Sequence, residues 1–329
     1  MNRHLENKLK ITKNNKYTLI IGANPSRTAR SPKLWNKVYK SQESKIRMYP
    51  ADVSVKKLSS FIQCIKKDPL FIGGSVTIPY KISIMKYLDK IDIKAKKIGS
   101  VNTIMKVKSK LIGFNTDYDG SITTLNKLKY KKKILVLGCG GAAKAVIFSL
   151  FKRFKNAKFY FHNRNFLKIK KYLMSINHLK KSRIIKNNAD LLKLKDIDLL
   201  VNTTSIGFNS WIKKDKKYYN LNSFTPLSNL NKLKKTSNKN FSKFINLNKN
   251  MINKDVNNVK KFFSENLKCD VFDIIYNPKI TKLIKYGHSN RNNLYNGLEM
   301  NLIQAAKAFM IVNKSNKLNL IKKRMKING

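Results

Sequence analysis

Two stretches of this chain combine residue types and spacings that could do chemistry. In "ILVLGCGGAAKAV", residues 134–146, Gly138, Gly140 and Ala143 satisfy the G-x-G-x-x-[G/A] pattern directly behind an apolar run and ahead of a helical one. In that setting glycines let the backbone approach a pyrophosphate, and a helix starting at Gly141 and Ala142 offers N–H groups and the positive end of its dipole. A glycine-rich turn that holds nothing is the plainer alternative, and the strand and helix on either side favour a dinucleotide. In "FIGGSVTIPYK", residues 71–81, Lys81 follows a small-residue turn, a Val-Thr-Ile fragment and Pro79. Among 70 Lys and Arg residues it is either a proton donor or one more solubilising charge.

The end of the strand after the glycine motif bears on which dinucleotide fits. An NAD site usually places Asp or Glu there for the ribose 2′-hydroxyl, whereas "FYFHNRNFLK" offers Asn163, Arg164 and Lys168 and no acid. A guanidinium fork suits a 2′-phosphate, so this turn points to NADP. His162 reads as a strand-end filler. No cysteine or histidine spacing suggests a metal site.

Short β-rich runs alternate with helical patterns, which argues for βαβ units and an α/β fold. "YTLIIG", "KIRMYP" and "LFIGGSVTI" read as strands, each followed by a helical stretch, the third by "KISIMKYLDK". "SVNTIMKVKSKLIGFN" reads as two strands about a tight turn. A second series runs through "KKILVLG", "AKFYFHN", "DIDLLVNTT" and "KCDVFDIIY", making a second α/β domain. Apolar and small residues at helical spacing, Leu298, Leu302, Ala305, Ala306, Phe309 and Met310, predict a long helix that returns to cover the first domain. Residues 209–266 are rich in Asn, Lys and Ser with scattered apolar anchors, which predicts a partly disordered surface insertion.

At 329 residues the chain accommodates two ordinary domains, and 42% hydrophobic content fits a folded enzyme. A formal charge of +53 would suit a polyanion partner, but the lysines are spread from end to end without a stripe. Compositional drift explains them better than a specific nucleic-acid site. Cys64, Cys139 and Cys269, odd in number and set in apolar runs, read as free buried thiols of a reducing compartment, hence a cytoplasmic protein. The first residues lack a continuous apolar core for a secretory signal, and residues 134–151 are too broken by Lys144 and glycines to cross a bilayer.

The stretches "GANPSRTARSPKLWN", "GGSVTIPYK", "AKKIGSVNTI", "GFNTDYDG", "ILVLGCGGAAKAV", "HNRNFLK", "LLVNTTSIGF", "VFDIIYNPKITKLI" and "GLEMNLIQAAKAF" occur in an order that resembles shikimate dehydrogenases, over residues 18–313 apart from the insertion. The resemblance implies a two-domain α/β enzyme that reduces 3-dehydroshikimate to shikimate with NADPH. Residues 1–116 would bind substrate, 117–290 would form a Rossmann-like NADP-binding domain interrupted at 209–266, and 291–329 would return as helices. It implies Lys81 and Asp117 as the catalytic pair, and Ser31, Thr77, Asn102 and Gln304 as substrate ligands. Gly138, Gly140, Gly141, Ala142, Asn163, Arg164, Lys168, Asn202, Thr203 and Thr204 would hold the cofactor. The partner expected is a small molecule, with no membrane, in a monomer or homodimer.

The chain departs from the family pattern at Ala29 and Phe272, where hydroxyls are usual, at Ser75 for Asn, at Tyr118 for Gly, and at Glu299 where Gly is common. Two lost hydroxyls imply weaker substrate binding, at about 0.5–1.5 kcal/mol per hydrogen bond. A quinate or shikimate dehydrogenase favouring NAD is the rival within the class, opposed by Arg164. A basic nucleic-acid-binding protein on a dehydrogenase scaffold is the rival outside it.

Overall fold

The computed structural model describes residues 1–12, 14–288 and 292–326. It divides into one unit of Met1–Thr123, Lys144–Ser149 and Met300–Gly329, and a second of Thr124–Ala143 and Leu150–Glu299.

In the first unit the apolar run Tyr17–Gly22 forms β1, buried along its whole length, as expected of a strand covered on both faces. The chain then passes through α1 (Pro25–Thr28), α2 (Ser31–Lys40), β2 (Arg47–Asp52), α3 (Leu58–Lys67) and β3 (Phe71–Val76), and β2 and β3 flank β1 in parallel. The stretch "KISIMKYLDK", expected as a helix, gives only a short 3-10 turn at Ser83–Tyr87 and then β4 (Lys90–Ile91). Long-range pairing overrides its local pattern: Asp89 accepts from Leu111 N at 2.7 Å, and β4 pairs with β6. After α4 (Ile93–Ile98), β5 (Thr103–Val107) and β6 (Lys110–Phe114) make the expected antiparallel pair, and α5 (Asp117–Leu125) follows. The strand order is β2-β1-β3-β5-β6-β4. Leu19, Ile21, Phe61, Ile62 and Ile104 share one core, while Ile20, Trp35, Val38 and Phe309 share another. This unit runs on to Thr123, beyond the expected limit at 116, because Tyr118 packs with Ile98, Ala145, Ile122 and Phe148.

The second unit contains β7 (Lys133–Leu137), α6 (Gly141–Arg153), β8 (Lys158–His162), α7 (Phe166–Ser175), β9 (Ser182–Ile185), α8 (Asn188–Leu191) and β10 (Leu199–Asn202). A hairpin of β11 (Trp211–Lys214) and β12 (Lys217–Asn220) precedes α9 (Phe241–Leu247), α10 (Lys249–Glu265), β13 (Asp270–Asp273), α11 (Lys282–Gly287) and β14 (Leu294–Tyr295). Its main sheet is parallel throughout, in the order β14-β13-β10-β7-β8-β9. Counted by appearance, that is the doubly wound dinucleotide-binding order, with its reversal at β7 and β10.

The 209–266 insertion is ordered, contrary to the sequence expectation. Its apolar residues are few but converge: Phe224, Phe244 and Ile252 form a buried cluster joined by Trp211 and Tyr219. Along α10, Val259, Phe262 and Phe263 enter the core beside Leu135, Leu200 and Val271. Asp255, on the same helix, accepts from Thr225 N at 2.8 Å and Thr225 Oγ1 at 2.7 Å. Large aromatic rings, each removing much surface from water, outweigh the polar composition.

The long helix α12 (Gly297–Val312) and the terminal α13 (Leu318–Lys326) follow. Within the first unit, Trp35 Nε1 donates to Ala305 O at 3.1 Å, and its ring meets Phe309 edge-on at 5.2 Å. Cys139 and Cys269 are buried and Cys64 is half-buried, and none of the three is in a disulfide. Among the described residues no helix is long and apolar enough to cross a membrane.

Candidate active site

In the first unit three chain segments converge on one ion pair. Lys81 lies past β3, where its carbonyl accepts from Val101 N at 2.7 Å. Asp117 is the first residue of α5. Lys81 Nζ stands 2.6 Å from Asp117 Oδ2, and the two side chains are only 15% and 5% exposed. The other carboxylate oxygen, Oδ1, accepts from Asn102 Nδ2 at 3.0 Å. That amide nitrogen also lies 3.1 Å from Gln304 Oε1 on α12, while Asn102 Oδ1 accepts from Thr116 N at 2.8 Å. Thr116 Oγ1 donates to Gln304 O at 3.0 Å. The carboxylate therefore holds the ammonium at one oxygen and is itself held at the other. A fixed ammonium in a sparsely solvated position can deliver a proton.

The structure thus brings together Lys81, Asp117, Asn102 and Gln304. Ser31, buried at the head of α2, and Thr77, half-buried just past β3, lie outside that network. Close by, Arg30 Nη1 donates to Asn301 Oδ1 at 3.2 Å, linking the start of α2 to α12. Sequence reasoning missed Thr116. The only signal was its place in "GFNTDYDG", where a hydroxyl beside an acid resembles an ordinary helix cap.

In the second unit Gly138 ends β7 with φ +104°, a conformation side chains rarely adopt. A Cβ there would lie 2.7 Å from Thr203 Oγ1, because Thr203 N and Oγ1 both donate to Leu137 O, at 2.9 and 2.7 Å. A Cβ at Gly140 would meet nothing within 4 Å, and no side chain caps α6 there. This open room over a helix N-terminus, leading into Gly141 and Ala142, fits a pyrophosphate. At the β8–α7 turn Asn163 Nδ2 donates to Asn165 O at 2.7 Å, and Asn165 caps α7 through Lys168 N. Arg164 and Lys168 are exposed there, with no acid in the first turn of α7. These residues fit the adenosine end of NADP. Asn202 is fully buried and holds its own loop, accepting from Thr204 N at 2.9 Å and from Thr204 Oγ1 at 2.8 Å. Thr204 is half-buried.

Two departures from the family pattern take on a physical meaning. Phe272 is fully buried in β13. Glu299 pairs with Lys127, its two oxygens 2.7 and 2.6 Å from the ammonium.

Residues 20–104 match the family model for the shikimate dehydrogenase substrate binding domain. A shikimate dehydrogenase (NADP(+)) of Pelagibacter ubique is 30% identical over 305 residues, covering 91% of this chain and 94% of that protein. A crystal structure of shikimate dehydrogenase in complex with NADP+ superposes with a TM-score of 0.69 at 27% identity, covering 97% of this chain and 98% of the other. The Thermus thermophilus enzyme in complex with NADP(H) and shikimate superposes with a TM-score of 0.66, covering 94% of this chain and 98% of the other. At 20% identity that last likeness concerns the fold alone.

Proposed function

The chain belongs to the shikimate dehydrogenase family, and on that footing we propose that Lys81 and Asp117 carry the chemistry of an NADP-dependent reduction of 3-dehydroshikimate to shikimate. The observation that carries the reading is the 2.6 Å ion pair between two largely buried side chains, braced by Asn102.

Reduction of a ketone leaves charge on oxygen, so a proton must arrive as that charge develops. NADPH, when bound, supplies the hydride. The Lys81 ammonium is the proton donor to the carbonyl oxygen, and Asp117 keeps it aimed. Asn102, whose amide oxygen is held by Thr116 N, and Gln304, whose amide oxygen accepts from Asn102, orient the ring hydroxyls. Ser31 offers a hydroxyl to the substrate carboxylate, and Thr77 a further polar contact. Residues 1–116 with the returning helices form the substrate side on this reading. The second unit forms the cofactor side, where Gly138, Gly140, Gly141 and Ala142 admit the pyrophosphate, Arg164, Asn163 and Lys168 take the 2′-phosphate, and Thr203 and Thr204 border the nicotinamide loop. The enzyme serves chorismate and aromatic amino-acid biosynthesis, acts in the cytoplasm as a monomer or homodimer, and has no specific nucleic-acid partner.

The test follows NADPH absorbance with and without 3-dehydroshikimate, with NADH and quinate as controls. Turnover with the first pair is expected. Folded protein without it overturns the reading.

A further inference from the structure

We propose that Asp273 is a positioning residue for the nicotinamide end of the cofactor site, clamping the loops after β10 and β13 into one wall. The proposal rests on the reading of the second unit as the cofactor domain, and it adds residues outside the glycine motif and the β8–α7 turn.

Asp273 ends β13 directly opposite Asn202, which ends β10, in parallel register. Its side chain is fully buried. Oδ1 accepts from Asn202 Nδ2 at 2.9 Å and from Ile275 N at 3.1 Å, while Oδ2 accepts from Thr281 Oγ1 at 2.7 Å. Each donor belongs to a different piece of chain. Asn202 shapes the turn that follows it, accepting from Thr204 and donating to Ile206 O at 3.3 Å. Ile275 begins the turn after β13, and Thr281 caps α11 through Ile284 N. One carboxyl group therefore fixes three points at the C-terminal edge of a parallel sheet, next to the order reversal where dinucleotides bind.

A fully buried carboxyl is costly to the fold when its donors are all neutral. Here burial pushes it up to about 7. Packing alone would be served more cheaply by an apolar side chain, so the acceptors are what the position provides. Oδ1 holds both loop donors, and Oδ2 faces a hydroxyl that can turn. An amide whose oxygen takes the Oδ1 place should therefore keep the loops in position, whereas a side chain without that oxygen should not.

The experiment compares Asp273→Asn, Asp273→Ala and Asp273→Ser by NADPH-dependent turnover and by competitive inhibition with 2′,5′-ADP, which occupies only the adenosine end. A reactive group displaced by about 1 Å can lose up to about 100-fold in rate, so the Ala and Ser variants should lose roughly 10–100-fold in kcat/KM for NADPH. Their inhibition by 2′,5′-ADP should stay within about twofold of the parent, and Asp273→Asn should keep turnover within about threefold, since positioning survives in both cases. The Ser variant, whose hydroxyl satisfies one donor but not both loops, decides the matter if the Ala chain does not fold. The proposal is overturned if folded Ala or Ser variants turn over normally, if Asn is as damaging as Ala, or if 2′,5′-ADP weakens in parallel with turnover. Failure of the parent itself to bind 2′,5′-ADP would instead sink the cofactor-domain reading.

Discussion

Replacing Lys81 by Ala tests the proposed chemistry most directly. The ammonium is 2.6 Å from Asp117 and only 15% exposed, so it is largely withdrawn from bulk water. A positioned general acid contributes about 10²–10⁴-fold, and kcat should fall by that factor. That is roughly 3–5.5 kcal/mol of barrier, at about 1.4 kcal/mol per decade. The variant also leaves Asp117 with Asn102 as its remaining neutral donor, which should cost about 1–3 kcal/mol of stability. Single-turnover and steady-state rates should therefore be read on protein shown to be folded by circular dichroism. Substrate affinity should change less than kcat. Lys86 and Lys90, both exposed, are the controls, and their Ala variants should stay within about threefold of the parent. Near-parental turnover in Lys81→Ala, or an equal decline in all three, would refute the reasoning, and the proton would have to come from elsewhere.

Three further outcomes follow from the second unit. Arg164→Ala should raise KM for NADPH far more than for NADH, since the guanidinium meets a phosphate only NADPH has; equal effects would make Arg164 irrelevant to selection. Phe262→Ala, in the part of the insertion that joins the main core, should cost about 3–5 kcal/mol in urea unfolding, and a loss under about 1 kcal/mol would restore the view of a partly disordered surface insertion. Asp273, lifted from 3.8 to about 7, holds its proton in the folded chain where the unfolded chain has lost it. The stability this gives is complete below about pH 4 and is lost as pH rises through about 7. Asp273→Asn does not titrate, so the stability gap between parent and variant should move by roughly 4 kcal/mol in the variant's favour from pH 4 to pH 7. A pH-independent gap would contradict the lifted titration.

Much of this architecture was legible where local pattern and tertiary role agree. The apolar run before Gly138, the Arg164 turn and the stripe of α12 all follow from periodicity and turn chemistry. The proposed catalytic pair was legible only through a motif order, since nothing local separates Lys81 from its many neighbours. The failures share a cause. In α10 the buried stripe of Val259, Phe262 and Phe263 is diluted by Asn and Lys on the opposite face, so mean composition concealed it. At Ser83–Ile91 the local sequence permits a helix, and only pairing with β6 decides otherwise. Asp273 is an ordinary strand residue by local pattern, since its partner Asn202 lies 71 residues away.

The first unit is not continuous in sequence, and this bears on how the chain assembles itself. Trp35 finds its acceptor at Ala305, 270 residues later, and Asn102 meets Gln304 across 202. Closing a flexible loop of that length in one step costs roughly 5 kcal/mol from chain length alone. The second unit removes most of that cost, since its own folding joins Lys127 to Glu299 and so brings the two ends of the intervening chain together. During synthesis the residues of the second unit are all made before residues 300–326 emerge, while the Lys81–Asp117 pair still lacks Gln304 and the helix that carries it. The half of the molecule made first is thus the half that finishes last.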